Sequence, residues 1–129
     1  MTVSIPLLET AGPPILDHDF LAELMDAIGE DGTDEVLRMF QEDAPERMAA
    51  IAAALSAGSV PGIRREAHAL AGAARNVGLA RLGDAAYALQ LTTESPAGGD
   101  LARSIASLSV LTIVSLRMLE GWNDNRGLP

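Results

Sequence analysis

Apolar residues along the chain recur at steps of three and four and show no run of strict alternation, so every predicted element is a helix. Asp17 can cap a first helix that places Phe20, Leu21, Leu24 and Ile28 on one face and stops at Gly29. Thr33 can cap a second, with Asp34 and Glu35 suited to the positive helix end. Its apolar line is Val36, Leu37, Phe40, Ala44, Met48, Ile51 and Leu55, ending at Gly58. Pro45 falls inside that line and predicts a kink, because it lacks a backbone donor and crowds the preceding turn. Ser59 opens a third helix, with Pro61 tolerated in its first turn. There Ile63, Ala67, Leu70, Ala74 and Val77 recur at steps of 4, 3, 4 and 3, and Asn76 and Gly78 mark the end. A fourth helix runs from about Leu79 to Thr93 with Leu82, Ala86 and Leu89 inward. "ESPAGGD" reads as a turn, and Asp100 caps a last helix from Leu101 to about Trp122.

Long helices joined by short connections predict an all-α fold: an antiparallel four-helix bundle with a short additional N-terminal helix over one end. The expected organisation is an irregular segment over 1–16, a bundle over 17–122 and a tail over 123–129. In the last helix Leu101, Ile105, Leu108, Leu111, Leu119 and Trp122 can face the core, while Val110, Ile113, Val114 and Leu116 spread round the other side. A helix apolar nearly all round is deeply buried or shared, which makes a homodimer a candidate assembly. Arg103, Ser104, Ser107, Ser109, Ser115 and Arg117 interrupt it, leaving fewer than the ~20 mostly apolar residues of a membrane span, so no membrane is expected.

Composition narrows the picture. Hydrophobic residues make up 48% of the 129, which suits a folded domain, and aromatics only 3%, which leaves an aliphatic core. There is no cysteine, and the two histidines stand fifty residues apart, so no metal site is expected. No basic segment followed by an apolar one suggests a signal peptide, and the expected location is the cytoplasm. A net charge of -9 argues against nucleic acid as a partner. The charge is uneven: 12 of the 18 acidic residues precede Arg47, whereas between Pro61 and Gly83 Arg64, Arg65, Arg75 and Arg81 stand against Glu66 alone. Either these arginines line a solvated face or they make a patch for an anion. The chain has no lysine, so every basic side chain is a guanidinium.

Within this basic stretch, "REAHALAGAARNVG" places His68 one step of ~100° off the core stripe. Arg64, Arg65, Ala71, Gly72 and Arg75 lie at neighbouring helical positions. A glycine inside a helix costs about 1 kcal/mol relative to alanine. Gly72 either leaves a bare face on which another protein can approach the imidazole or serves close helix packing beside a partly exposed histidine. Spacing leaves both open. His18, in the first turn of the first helix, reads as ordinary surface.

"AHALAGAARNVGLARL" resembles the core motif of the histidine-containing phosphotransfer (HPt) domain, with His68, Leu70, Gly72, Gly78 and Leu82 at the motif positions. "MFQEDAPERMAAIAAAL" is similar to the family's second helix, and the resemblance covers most of the chain from Asp17 onward. It implies a phosphorelay carrier in which His68 accepts a phosphoryl group from an aspartyl phosphate on a receiver domain and passes it to another. The implied partners are response regulator receivers, with a hybrid histidine kinase as a further candidate. The implied carrier has no cofactor of its own and no autonomous catalytic activity, the receiver supplying Mg²⁺. Ala71 stands where the family usually has a lysine, so Arg75, Arg64 or Arg65 is expected to serve the phosphate instead. The alternative is a module that docks on a receiver or kinase without being phosphorylated. A metal or cofactor bundle would need inward Glu and His pairs, and the inward positions are apolar.

Overall fold

The computed structural model describes residues 12–94 and 100–126, and among these every regular element is a helix. The four are α1 (His18–Ser56), α2 (Val60–Arg75), α3 (Ala80–Thr92) and α4 (Leu101–Arg126). The expected turn over "ESPAGGD" falls largely on residues 95–99, and most of the N-terminal lead-in on 1–11, outside the described residues.

Asp17 starts α1 as its sequence suggests, its Oδ1 accepting from the Phe20 N–H at 3.0 Å. The break expected near Gly29 is present, but as one non-helical residue (φ 77°, ψ 179°) inside a 39-residue element. Five expected helices are therefore four elements. Thr33 is not a cap: it is fully buried, and its Oγ1 donates to the Gly29 carbonyl at 2.7 Å. A hydroxyl four residues on satisfies the carbonyl at the break, so the helix resumes at once. Pro45 lies within α1 and keeps helical dihedrals; the one non-helical residue of that element is Gly29. Ile28, expected inward, is 45% exposed beside that break, whereas Leu21, Leu37, Phe40, Ala44 and Ile51 form the α1 side of the core.

The Ser59 side chain caps α2 by accepting from the Gly62 N–H at 3.1 Å, with Pro61 in the first turn. All of Ile63, Ala67, Leu70, Ala74 and Val77 are at most 1% exposed, as their spacing demands. After α2 the chain turns at Gly78 (φ 76°), whose carbonyl accepts from the Asp17 N–H at 2.8 Å. A Cβ there would lie 3.1 Å from the Phe20 ring and 3.2 Å from the Asp17 carbonyl oxygen, so only glycine lets this turn rest on the start of α1. Nearby, Arg81 donates to the Pro13 carbonyl at 2.9 Å and holds the lead-in against the start of α3.

Leu82, Ala86 and Leu89 of α3 are buried as expected. Each helix has two neighbours: α2 packs on α1 and α3, and α4 on the other flank of both. Asp100 caps α4 by accepting from the Arg103 N–H at 3.0 Å. The helix continues past the expected end at Trp122, because Arg126 returns to α1, where it pairs with Asp34 and donates to the Met25 sulfur at 2.8 Å. Its guanidinium also lies 5.3 Å from the Trp122 ring centre. By length and composition α4 could cross a membrane; here Ile105, Leu108, Leu111 and Leu119 are buried in the core, and Val110, Ile113 and Met118 are exposed.

Candidate functional site

His68 is exposed on the outer face of α2, with Nδ1 3.0 Å from Oε1 of Gln90 on α3. An amide oxygen only accepts, so this contact puts the imidazole hydrogen on Nδ1 and leaves the lone pair on Nε2. One turn further along α2, Gly72 is exposed, and a Cβ added there would meet nothing within 4 Å. The packing reading of Gly72 therefore fails within this chain. Gly83 is the packing glycine: its Cβ would lie 2.7 Å from Arg75 Cγ and 3.4 Å from the Ala71 carbonyl oxygen.

The remaining predicted site residues separate. Ala71 is corrected: it is only 2% exposed and belongs to the core, not to a patch beside the histidine. Four residues after Ala67, it comes round to within ~40° of that core position, on the side of α2 that meets α3. A longer side chain at 71 would start inside this seam. Arg64 is half-buried and tied to Thr93, the residue closing α3, donating to its hydroxyl at 3.2 Å and its carbonyl at 3.4 Å. Cationic guanidinium at a helix C-terminus is favourably placed. Arg75 reaches α3 as well, pairing with Asp84 at 3.4 Å, and its guanidinium lies 5.5 Å from the Tyr87 ring centre. Arg65 remains highly exposed, 3.8 Å from Glu66. His18 is exposed at the start of α1, as expected.

Three cross-contacts, Arg64 with Thr93, His68 with Gln90 and Arg75 with Asp84, fall on rising numbers in α2 and falling numbers in α3, so these helices run in opposite directions. Asp84, Tyr87 and Gln90 form an i, i+3, i+6 ridge on α3 that the sequence reading did not single out. Its polar and aromatic character was visible, but its apposition to α2 depends on the register of the two helices. On the opposite flank, Arg47 of α1 donates to Glu66 of α2 at 2.9 Å and to Asp43 at 3.2 Å. Those bonds, Glu66 first, hold the Arg47 guanidinium above its ordinary pKa. Among the described residues no group of three or more His, Asp or Glu side chains could hold a metal ion.

The family model for the Hpt domain matches residues 35–117, a segment that contains His68, Gly72, Gly78 and Gln90. The chain belongs to the Hpt domain family. It is thus a histidine phosphotransfer domain of two-component signalling. The crystal structure of histidine-containing phosphotransfer protein B (HptB) from Pseudomonas aeruginosa PAO1 is similar in fold, with a TM-score of 0.79 over 88% of this chain and 98% of that one. At 22% sequence identity that likeness speaks for the Hpt fold alone. No curated protein sequence matches the chain.

Proposed function

We propose that His68 carries a phosphoryl group between receiver domains of response regulators. Its Nε2 lone pair attacks the phosphorus of a receiver's aspartyl phosphate; the new N–P bond forms as the acyl phosphate P–O bond breaks, and the aspartate leaves as a carboxylate. In the onward step a carboxylate of a second receiver attacks the same phosphorus and the N–P bond breaks, returning the electron pair to Nε2. The observation that carries this reading is the exposed imidazole with Nδ1 engaged by Gln90, beside the open face at Gly72. Phosphoryl transfer depends chiefly on in-line positioning and on stabilising charge at the equatorial oxygens. The receiver brings the acidic cluster and the Mg²⁺, and the Hpt chain brings the nucleophile. Arg75 would serve the phosphoryl group by exchanging Asp84 for it, and Arg65, exposed on the same helix, is the second candidate cation.

The finer architecture belongs to the same proposal: the part of α1 before Gly29 acts as the short additional helix of an antiparallel four-helix bundle. So do a cytoplasmic location and the outer side of α4 as the surface on which a second copy would sit. Docking without phosphorylation is the competing reading, favoured by the engagement of Arg64 and Arg75 with α3.

Incubation with phosphorylated receivers and Mg²⁺ tests the choice. His68 should acquire an acid-labile, base-stable label, and His68→Gln should lose it with helix content unchanged. A label that survives the substitution places the acceptor elsewhere. An unlabelled wild-type chain with every receiver of the genome supports docking alone.

A further inference from the structure

The outer side of α4 carries a regular pattern of its own. Arg103, Ala106, Val110, Ile113, Arg117 and Glu120 are all exposed and follow one another at steps of 3, 4, 3, 4 and 3. That is the spacing of a coiled-coil seam, about 25 Å long. It lies on the side of the helix opposite the buried Ile105, Leu108, Thr112, Ser115 and Leu119, so the rest of the bundle stands behind it. Its order along the helix is basic, apolar, basic, acidic. Arg117 and Glu120 make no ion pair among the described residues. The Arg103 guanidinium reaches only Asp100, at 3.9 Å, with both side chains more than half exposed. A Cβ added at Gly121, which flanks the seam, would meet nothing within 4 Å, so this glycine serves no packing within the chain.

We infer that a second copy of the chain pairs its α4 with this one antiparallel, about a two-fold axis between Val110 and Ile113. The inference rests on the second-copy reading of α4 above and adds the direction, the register and the residues that set them. In an antiparallel seam the two alternating sets of seam positions face each other across the axis. Val110 then faces the partner's Ile113, Ala106 faces the partner's Arg117, and Arg103 faces the partner's Glu120, each contact occurring twice by symmetry. The apolar pair sits at the centre, each Arg117 stem lies over a methyl group, and unlike charges meet at both ends. Parallel pairing would set each arginine against its own copy and Glu120 against Glu120. Sliding the antiparallel pair by one heptad would set Ile113 against Arg117 in one direction or Arg103 in the other. The acidic excess of the chain does not oppose the contact, because α4 carries Arg103, Arg117 and Arg126 against Glu120 and Asp124. An anionic lipid surface fits worse, because Glu120 shares the seam with the arginines. α2 packs on α1 and α3, and α4 packs on the same two helices from the other side, so pairing through α4 leaves both copies of His68 uncovered. The pair is a carrier with two independent phosphorylation sites.

Sedimentation equilibrium of the whole chain at low salt, over a range of concentrations, should show a monomer–dimer equilibrium. Arg103→Glu should weaken it about tenfold or more, and Glu120→Arg likewise, because each places like charges at both ends of the seam. Both side chains are exposed, so neither variant should lose helix content. Arg103→Glu combined with Glu120→Arg should recover the wild-type dissociation constant within about threefold. An equimolar mixture of the two single variants should form a mixed dimer, because unlike charges then face one another again. Val110→Glu, at the centre, should leave a monomer whose His68 is labelled by a phosphorylated receiver at the wild-type rate; a slower rate in that folded monomer denies that the two sites act independently. A dimer that the single reversals leave unchanged, or a combined variant that fails to recover, overturns this register and leaves the second-copy reading standing. A dimer that also survives Val110→Glu overturns α4 as the contact. A wild type that stays monomeric at every concentration overturns both, and labelling of His68 reads the carrier function separately in every case.

Discussion

Gly72 and Gly83 lie on neighbouring helices of one small domain and do opposite things. At Gly72 an added Cβ meets empty space, whereas at Gly83 it lies 2.7 Å from Arg75 Cγ and faces the Ala71 carbonyl. The first glycine leaves room outside the molecule and the second leaves room inside it. Both replace a better helix former, and helix propensity treats them alike. What separates them is the surface each faces: the seam must be filled by the chain itself, but the outer ridge is left for something that arrives later. Stability and transfer should therefore respond independently at the ridge and together at the seam.

The sharpest break of that contrast is Gly72→Leu. Leucine improves helix propensity by roughly 0.5–1 kcal/mol, so the melting temperature should not fall. Transfer should nevertheless drop about 100-fold, because a misplacement of ~1 Å at the reacting atoms has that effect. A folded variant that transfers at the normal rate removes the docking account of Gly72. Gly83→Leu should show the reverse. Forcing a large side chain into the seam destabilises by about 1–3 kcal/mol, read as a lower melting temperature. Because that side chain would displace Arg75, transfer should fall beyond the folded fraction only by what Arg75→Ala itself loses; a larger selective loss would make the seam part of the chemistry. The smallest expected change sharpens the role of the seam's polar edge. Gln90→Leu removes one hydrogen bond of about 0.5–1.5 kcal/mol, enough for a roughly fivefold slower transfer. Nitrogen-15 shifts of the imidazole should then show hydrogen on Nε2 as well as Nδ1, and shifts identical to wild type would deny Gln90 its orienting role.

Much of the fold around this contrast could be read from the sequence. The stripe from Ile63 to Val77 is buried residue for residue, because a period of 3.6 leaves few alternatives for five apolar side chains. Ser59, Asp17 and Asp100 cap where a short polar side chain precedes a helix, a local effect fully contained in the sequence. Thr33 misled because its hydroxyl serves a carbonyl behind it, at a break whose dihedrals had to be seen. Ala71 misled because position i+3 lies close to both the histidine and the core stripe, and only the approach of α3 decides between them. Gln90, Asp84 and Tyr87 were silent for the same reason: each meets α2 through register, and register is set by packing rather than by spacing along one helix.

The tie from Arg126 to Met25 spans 101 residues, whereas the α2–α3 ties span between 9 and 29. Closing the longer loop carries about 1 kcal/mol more chain entropy. It also imposes an order of events during synthesis. Every residue of the histidine's seam is joined to the chain before α4 begins, so α2 and α3 can pair first, while α1 must wait for the last turn of α4 before its own flank is covered.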